Sequence, residues 1–249
     1  MSTDLFSKQA NLYSRYRPQY PDALYKFLLS HCAKKELAWD CATGNGQAAL
    51  DLARFFTKVI ATDLSERQIK SAVRAENVEY RVLKAEESLG VKDHSIDLIT
   101  VAQALHWFDL DKFYAEVKRV LRPTGIFATW AYAFHLPIQP NIDSSLTDFY
   151  FNILGPFWKK NNKLIFDNYK ELSFPFREIA TPEIYLEVNW SLEDLIGYFR
   201  TWSSTQLFID QSQIDPTLEL YEKVLPYWGA ASEKKILKWR LIFKVGELV

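Results

Sequence analysis

Trp39-Asp-Cys-Ala-Thr-Gly-Asn-Gly-Gln47 is the stretch on which the fold turns. A short apolar run, Leu37-Ala38-Trp39, reaches the carboxylate of Asp40 and then a turn holding Gly44 and Gly46. From Gln47 to Phe56 the apolar residues Ala48, Leu50, Leu52, Ala53 and Phe56 return at helical spacing. Strand, tight turn and helix start form a nucleotide-binding device. Glycine lets a ligand approach the backbone, and the first helical turn offers unpaired N–H groups. A plain strand-to-helix turn has the same outline, so the flanking sequence must separate the two.

Downstream, Lys58-Val-Ile-Ala-Thr62 reads as a buried strand ending on Asp63, 19 positions after Gly44. An acidic residue at about 20 positions' distance accepts hydrogen bonds from ribose hydroxyls in dinucleotide folds. A helix-capping aspartate is the alternative. Gly44-Asn-Gly-Gln-Ala-Ala49 also fits G-x-G-x-x-A, a form of the NAD fingerprint. Asp40 argues against a dinucleotide, because a carboxylate before the turn would repel a pyrophosphate and suits a cationic ligand end instead. Tyr114-Ala-Glu-Val-Lys118 spells Y-x-x-x-K, but it lies in an amphipathic helix too soon after Gly44 to serve hydride transfer.

The alternation continues. Ser65 is placed to cap a helix over 66–75. Residues 78–83 and 96–102 read as strands, 110–121 as a helix stopped by Pro123 and Gly125, and 126–130 as a fifth strand. Upstream, 22–32 reads as an amphipathic helix. Strands and helices alternating in this way predict a parallel sheet with right-handed connections and helices on both faces. After Tyr132 the pattern loosens. Residues 133–182 carry five prolines among aromatics and read as helices and loops rather than sheet. Residues 183–190 alternate like a late strand, 191–201 and 216–225 read as helices capped by Ser191 and Asp215, and 240–245 as a final strand.

Composition narrows the function classes. Lysine plus arginine (30) nearly balances aspartate plus glutamate (31), so no global field draws in nucleic acid or an acidic membrane. Cys32 and Cys41 form no CxxC pair, which argues against a zinc site and a disulfide framework. There is no signal-like N-terminus and no apolar run long enough for a membrane helix, so a cytoplasmic location is expected by default. The eight tryptophans fit either an aromatic core or a ligand-lining wall.

Five segments in this order resemble the class I S-adenosylmethionine-dependent methyltransferases of the methyltransferase type 11 group, close to the trans-aconitate-type small-molecule enzymes. They are Tyr13-Ser-Arg-Tyr-Arg-Pro-Gln-Tyr-Pro21, Ala38-Trp-Asp-Cys-Ala-Thr-Gly-Asn-Gly-Gln47, Val59-Ile-Ala-Thr-Asp-Leu-Ser65, Asp97-Leu-Ile-Thr-Val-Ala-Gln-Ala-Leu-His-Trp-Phe108 and Val120-Leu-Arg-Pro-Thr-Gly-Ile-Phe127. The resemblance implies a Rossmann-like, doubly wound α/β fold. Its mostly parallel sheet would have seven strands, with a helical cap inserted after the fifth and an N-terminal lid. One domain over 1–249 is expected. Residues 1–35 would be lid and first helix, 36–131 the cofactor-binding core, 132–182 and 191–239 the cap on the substrate side, and 183–190 and 240–246 late strands.

The same resemblance assigns roles. Asp40 would hold the methionine amino group of S-adenosylmethionine, and Ala42 and Gly44 would lie against its methionine part. Ala42 stands where the family usually has glycine. Asp63 would take the ribose hydroxyls, and Leu64 would pack on adenine, with Ala85 and Glu86 at the adenine edge. Gln103 and Ala104 would border the methionine chain. Tyr13 and Arg17 would belong to the lid, with Arg17 on the methionine carboxylate unless it is a surface arginine.

The expected reaction is methyl transfer to a small-molecule acceptor, a carboxylate or other oxygen nucleophile. The protein would be a monomer or homodimer. A methyltransferase of RNA or protein and a non-catalytic cofactor-binding protein are the competing readings. His106 is the one histidine placed to act as general base, and it reads equally as an ordinary residue at a pocket rim. Trp107, Trp130, Arg200 and Trp202 are candidates for the acceptor wall. Core packing competes for Trp107, and a structural ion pair competes for Arg200.

Overall fold

The computed structural model describes residues 16–249. They group into two compact units, one of 20–133, 164–184 and 241–249, the other of 16–19, 134–163 and 185–240. The first unit holds a seven-stranded sheet of order β3-β2-β1-β4-β5-β9-β6. Its elements are α1 (Asp22–Ser30), β1 (Leu37–Cys41), α2 (Gln47–Ala53), β2 (Lys58–Asp63), α3 (Glu66–Ser71), β3 (Val78–Val82), β4 (Ile96–Ala102), α4 (Leu110–Val120), β5 (Leu121–Ala131), β6 (Arg177–Ile179) and β9 (Ile242–Glu247). Neighbours among β3, β2, β1, β4 and β5 run parallel, whereas β9 runs antiparallel to β5 and β6.

The chain steps from β1 through β2 to β3 in one direction, then returns to β4 on the other side of β1 and moves on to β5. Right-handed crossovers in opposite directions put α2 and α3 on one face and α4 on the other. Helices on both faces bury the central strands on both sides, and Ile96 to Val101 of β4 are all buried, Asp97 and Thr100 included. On the α4 face, Trp39, Ile99 and Phe127 pack with Phe113 and Val117. The alternate residues Ala38, Leu98, Ile126 and Trp130 turn to the other face, where Tyr25 of α1 meets Trp130 edge-on at 6.5 Å.

At the opposite end of the strands from their carboxyl termini, Asp97 ties three segments together. Its Oδ2 accepts the backbone N–H groups of Glu36 (2.8 Å) and Leu37 (3.0 Å), and its Oδ1 accepts from Arg122 (2.7 Å). Arg122 also pairs with Glu36 at 2.7 Å.

The second unit contains α5 (Pro140–Asp148), β7 (Tyr185–Trp190), α6 (Leu192–Arg200), α7 (Ser203–Ser212), α8 (Pro216–Trp228) and β8 (Lys235–Arg240). Ser191 and Asp194 form a reciprocal capping box at the start of α6, and Asp215 caps α8 with Pro216 in the first turn.

Three expectations change. The strand expected at 183–190 forms, but β7 pairs with β8 as a separate two-stranded ribbon. Its alternation of exposed and buried residues belongs to a half-covered ribbon, not to a strand covered on both faces. The segment 133–182 contributes sheet after all, because β6 supplies a three-residue edge against β9. Strand β5 begins at Leu121 directly after α4, and Pro123 and Gly125 lie within a register shift against Ile96 and Leu98 of β4, not in a loop. Among the described residues no helix is long and apolar enough to cross a membrane.

Candidate functional site

Strand order reverses between β1 and β4, and the crevice beyond the carboxyl ends of such neighbouring strands is where open α/β sheets bind ligands. Here the turn after β1 is built from left-handed residues: Ala42 (φ 55°), Gly44 (φ 58°) and Gly46 (φ 88°). Thr43 N–H bonds the Thr62 carbonyl of β2 (2.9 Å), and Gly46 N–H bonds the Thr43 carbonyl (3.0 Å), which closes the turn onto α2. A Cβ on Gly46 would collide with the Tyr80 hydroxyl, so side chains are excluded there. Over Gly44, by contrast, a Cβ would meet nothing within 4 Å, which leaves open backbone for a ligand.

Two carboxylates frame this turn. Asp40 is buried, and its register partner on β4 is Thr100. Partners in register share a face, so the Thr100 hydroxyl donates to Asp40 Oδ1 at 2.7 Å, while Thr43 donates to Oδ2. Burial outweighs these donors and pushes the Asp40 pKa up to about 6. Asp63 is half-buried. Its Oδ2 accepts Gly44 N–H (2.8 Å) and its Oδ1 accepts Ser65 N–H (2.8 Å), which welds the two turns into one rim. Beside it, Leu64 is 56% exposed, an apolar surface left open next to a carboxylate. Ser65 caps α3 as expected.

After β4, Gln103 is also left-handed (φ 58°). Its N–H bonds the Trp130 carbonyl (2.8 Å) and its amide donates to the Tyr132 carbonyl (3.2 Å). Ala104 leads into a single 3-10 turn, Leu105–Trp107. His106 in that turn is 4% exposed, and desolvation lowers its pKa to about 3, so the ring is neutral at physiological pH. The Tyr169 hydroxyl lies 3.5 Å from its Nδ1. Trp107 is half-buried against the His106 ring, at 4.7 Å. Glu86 accepts the Asp109 N–H at 3.0 Å, and Ala85 is buried.

The sheet-bearing unit therefore brings Asp40, Ala42, Gly44, Asp63, Leu64, Ala85, Glu86, Gln103, Ala104, His106 and Trp107 onto its strand-end loops. Trp130 lies one residue before the end of β5 but is wholly buried, wedged edge-on against Tyr20 (5.3 Å) and Tyr25. In the helical unit, Arg17 lies over the Tyr198 ring (5.4 Å) and donates to the Thr201 carbonyl (3.4 Å). Arg200 donates from Nε to Asp215 (2.9 Å) and Thr217 (3.0 Å), which favours the ion-pair reading of that residue. Trp202 is buried among Tyr150, Trp158, Tyr198 and Phe199. Tyr13 lies outside the described residues.

Sequence reading missed Thr43, Thr100 and Tyr169. The register of β1 against β4 carried a signal for Thr100. Tyr169 is brought to His106 from 63 positions away, with no local pattern to announce it.

Ala42 bears on stability. A non-glycine residue in the left-handed region costs about 1–2 kcal/mol. Ala42→Gly is expected to leave the urea midpoint unchanged or raised, and Ala42→Val to lose about 1–2 kcal/mol. A glycine variant clearly less stable than the parent would contradict the strained turn.

The residues present fit a nucleoside-bearing, cationic cofactor. Open backbone lies over Gly44, Asp63 stands beside exposed Leu64, and a buried carboxylate would ionise more readily once a cation came near. The family model described as a methyltransferase domain matches residues 39–129. A Dictyostelium discoideum protein named as a methyltransferase is 38% identical over 226 residues, covering 89% of this chain and 85% of its own. A methyltransferase of Aspergillus candidus is 26% identical, covering 90% of this chain and 79% of its own. Among solved structures, one from Anaeromyxobacter dehalogenans, titled as a type II methyltransferase, superposes with a TM-score of 0.85 at 34% identity, covering 93% of this chain and 98% of that one. Likeness of that extent, in sequence and in overall fold alike, makes the chain a member of the class I S-adenosylmethionine-dependent methyltransferases.

Proposed function

We propose that the chain methylates a small-molecule oxygen nucleophile that arrives already ionised, a carboxylate being the simplest. The supporting observation is His106. It is the histidine at the strand-end loops, and burial lowers its pKa to about 3, far from the value a general base needs near neutral pH. A carboxylate acceptor needs no base. S-adenosylmethionine, when bound, supplies an activated methyl group on a sulfonium. The chain's part is position and electrostatics, which can supply roughly 7–11 kcal/mol of a barrier.

In this reading Asp63 holds the ribose hydroxyls, and Leu64, Ala85 and Glu86 border the adenine. Asp40 faces the amino group, directly or through water. Gly44, Ala42, Gln103 and Ala104 lie along the methionine chain. Arg17 and Tyr13 act as the lid.

The test is a pH series of S-adenosylhomocysteine binding and of turnover with a panel of carboxylic acids. Asp40 has a raised folded pKa, so its carboxyl is ionised only above about pH 6. A cationic ligand end favours the ionised form, so binding releases a proton near that pH. Affinity is expected to rise as pH climbs through about 6 and then to level off. Turnover should follow the same single rise and stay flat to pH 9, with a methyl ester as product. A second rise near neutral pH would show a titrating base and count against the reading. The raised pKa also predicts that Asp40 opposes folding of the ligand-free protein above about pH 6 and that this cost fades as pH falls toward 4.

A further inference from the structure

The partner of His106 decides which of its two ring nitrogens carries the proton. Tyr169 is wholly buried, and its hydroxyl lies 3.5 Å from His106 Nδ1, its one hydrogen-bonding neighbour among the described residues. Burial pushes the pKa of that hydroxyl up, so it keeps its proton. A buried O–H needs an acceptor, and Nδ1 is one only when it is unprotonated. With the proton on Nδ1 instead, the tyrosine oxygen would accept and its own proton would be stranded. Desolvation keeps the imidazole neutral, so the single ring proton sits on Nε2.

The backbone holds Tyr169 in this place against its preference. Asn168 and Tyr169 are both left-handed, at φ 55°. Asparagine tolerates that region, whereas a bulky aromatic residue there is strained. Asn168 N–H bonds the Ile165 carbonyl (2.9 Å) and Tyr169 N–H bonds the Leu164 carbonyl (2.7 Å), which fixes the bend. Tyr169 belongs to the same buried cluster as Leu105, and Ala104 and Phe108 pack against that cluster. All of these residues lie in the sheet-bearing unit.

The two imidazole nitrogens point apart. Nδ1 is directed at a wholly buried hydroxyl, so Nε2–H is directed away from Tyr169. No hydrogen bond reaches Nε2 from the described residues. The turn that carries it, Leu105–Trp107, directly follows Gln103 and Ala104 beyond the carboxyl end of β4, and Gln103, Ala104 and Trp107 are only half-buried.

We propose that Tyr169 locks His106 in its Nε2–H tautomer and that Nε2–H donates to one carboxylate oxygen of the methyl acceptor, leaving the other oxygen to take the methyl group. This rests on the carboxylate methyltransferase reading and gives a task in that reading to a ring that is no base. Tyr169 is a positioning residue, and His106 binds the acceptor without exchanging a proton. Hydrogen bonds to a charged oxygen are stronger than those to a neutral one, so the donor favours carboxylates over alcohols. It has nothing to offer an ammonium group.

The test uses the full chain labelled with 15N at histidine. Long-range proton–nitrogen spectra distinguish a protonated from an unprotonated ring nitrogen, and His106→Gln identifies which of the four histidines is observed. The parent should show His106 protonated at Nε2 alone. Tyr169→Phe should populate both tautomers, a signature that a packing role would not move. Benzoate and octanoate are then titrated by calorimetry, with and without S-adenosylhomocysteine. His106→Leu should weaken binding by about tenfold or more, the worth of one hydrogen bond to a charged group. His106→Gln, whose amide N–H can replace Nε2–H, should recover most of that loss. A proton on Nδ1 in the parent, an unchanged tautomer in Tyr169→Phe, binding of neither acid, or equal binding in the parent and His106→Leu each overturns the proposal. If S-adenosylhomocysteine binds throughout while one of these results appears, only the inference falls. If it fails to bind while the tautomer and the acid contact stand, the inference is supported and the methyltransferase reading is what falls.

Discussion

Asp63→Ala is expected to weaken S-adenosylhomocysteine binding by about a hundredfold or more, read by calorimetry. The carboxylate has two tasks. It accepts N–H groups from Gly44 and Ser65, both at 2.8 Å, and so holds the turn after β1 against the turn after β2. In the proposed site it also accepts from the ribose. Hydrogen bonds to a charged group are worth about 1.5–3 kcal/mol each, so losing two costs at least two orders of magnitude in affinity. Asp63→Asn keeps one acceptor oxygen and should lose less, roughly tenfold. The helix cap at Ser65 survives either change, so the folded content should hold. Binding within threefold of the parent in Asp63→Ala would remove Asp63 from the site.

Asp97→Ala is expected to cost about 3 kcal/mol of stability, read as a fall in the urea midpoint. Asp97 is 2% exposed and takes two backbone N–H groups on one oxygen and Arg122 on the other. Alanine strands those N–H groups at the start of β1 and leaves Arg122 with Glu36 alone. The Arg122 side chain is 22% exposed, so water recovers part of its loss, and the estimate sits at the low end of the range for broken buried pairs. Asp97 lies at the far end of the strands from Asp63. S-adenosylhomocysteine affinity of the folded variant should therefore stay within about twofold of the parent. A stability loss under 1 kcal/mol would mean that the pin carries little load.

The two substitutions also mark how differently the sequence speaks about its parts. The place of Asp63 was legible because β2 follows the glycine turn at a set distance along the chain, and the structure puts its carboxylate against Gly44 N–H. The positions of Gly44 in the turn and Leu64 just after β2 follow from the same local logic. Asp97 lies in a quoted segment, yet nothing near it announces that it bonds Glu36, 61 positions earlier. His106 was legible as a residue type and ambiguous in role. Its neutrality comes from burial and its partner from Tyr169, and both are properties of the packed state.

Arg200 shows the limit most plainly. An arginine set among Tyr198, Phe199 and Trp202 invites a carboxylate from outside. The chain supplies one from within, at Asp215, which also caps α8. Trp130 and Trp202 carried the same ambiguity. Tryptophan in a strand or helix has one sequence signature whether it lines a pocket or fills a core, and only packing tells them apart.

The sequence by itself determined the parallel alternation from β1 to β5, the glycine turn, both framing carboxylates and the caps at Ser65, Ser191 and Asp215. These depend on interactions a few residues long, or on a periodicity that every strand and helix must obey. Tertiary structure alone decided that β7 leaves the sheet to pair with β8 and that three residues, Arg177–Ile179, close its edge. It also decided which aromatic rings and polar atoms are buried and whether they find partners. Pairing and burial join segments far apart in the chain, and their free energy depends on neighbours that no local pattern encodes.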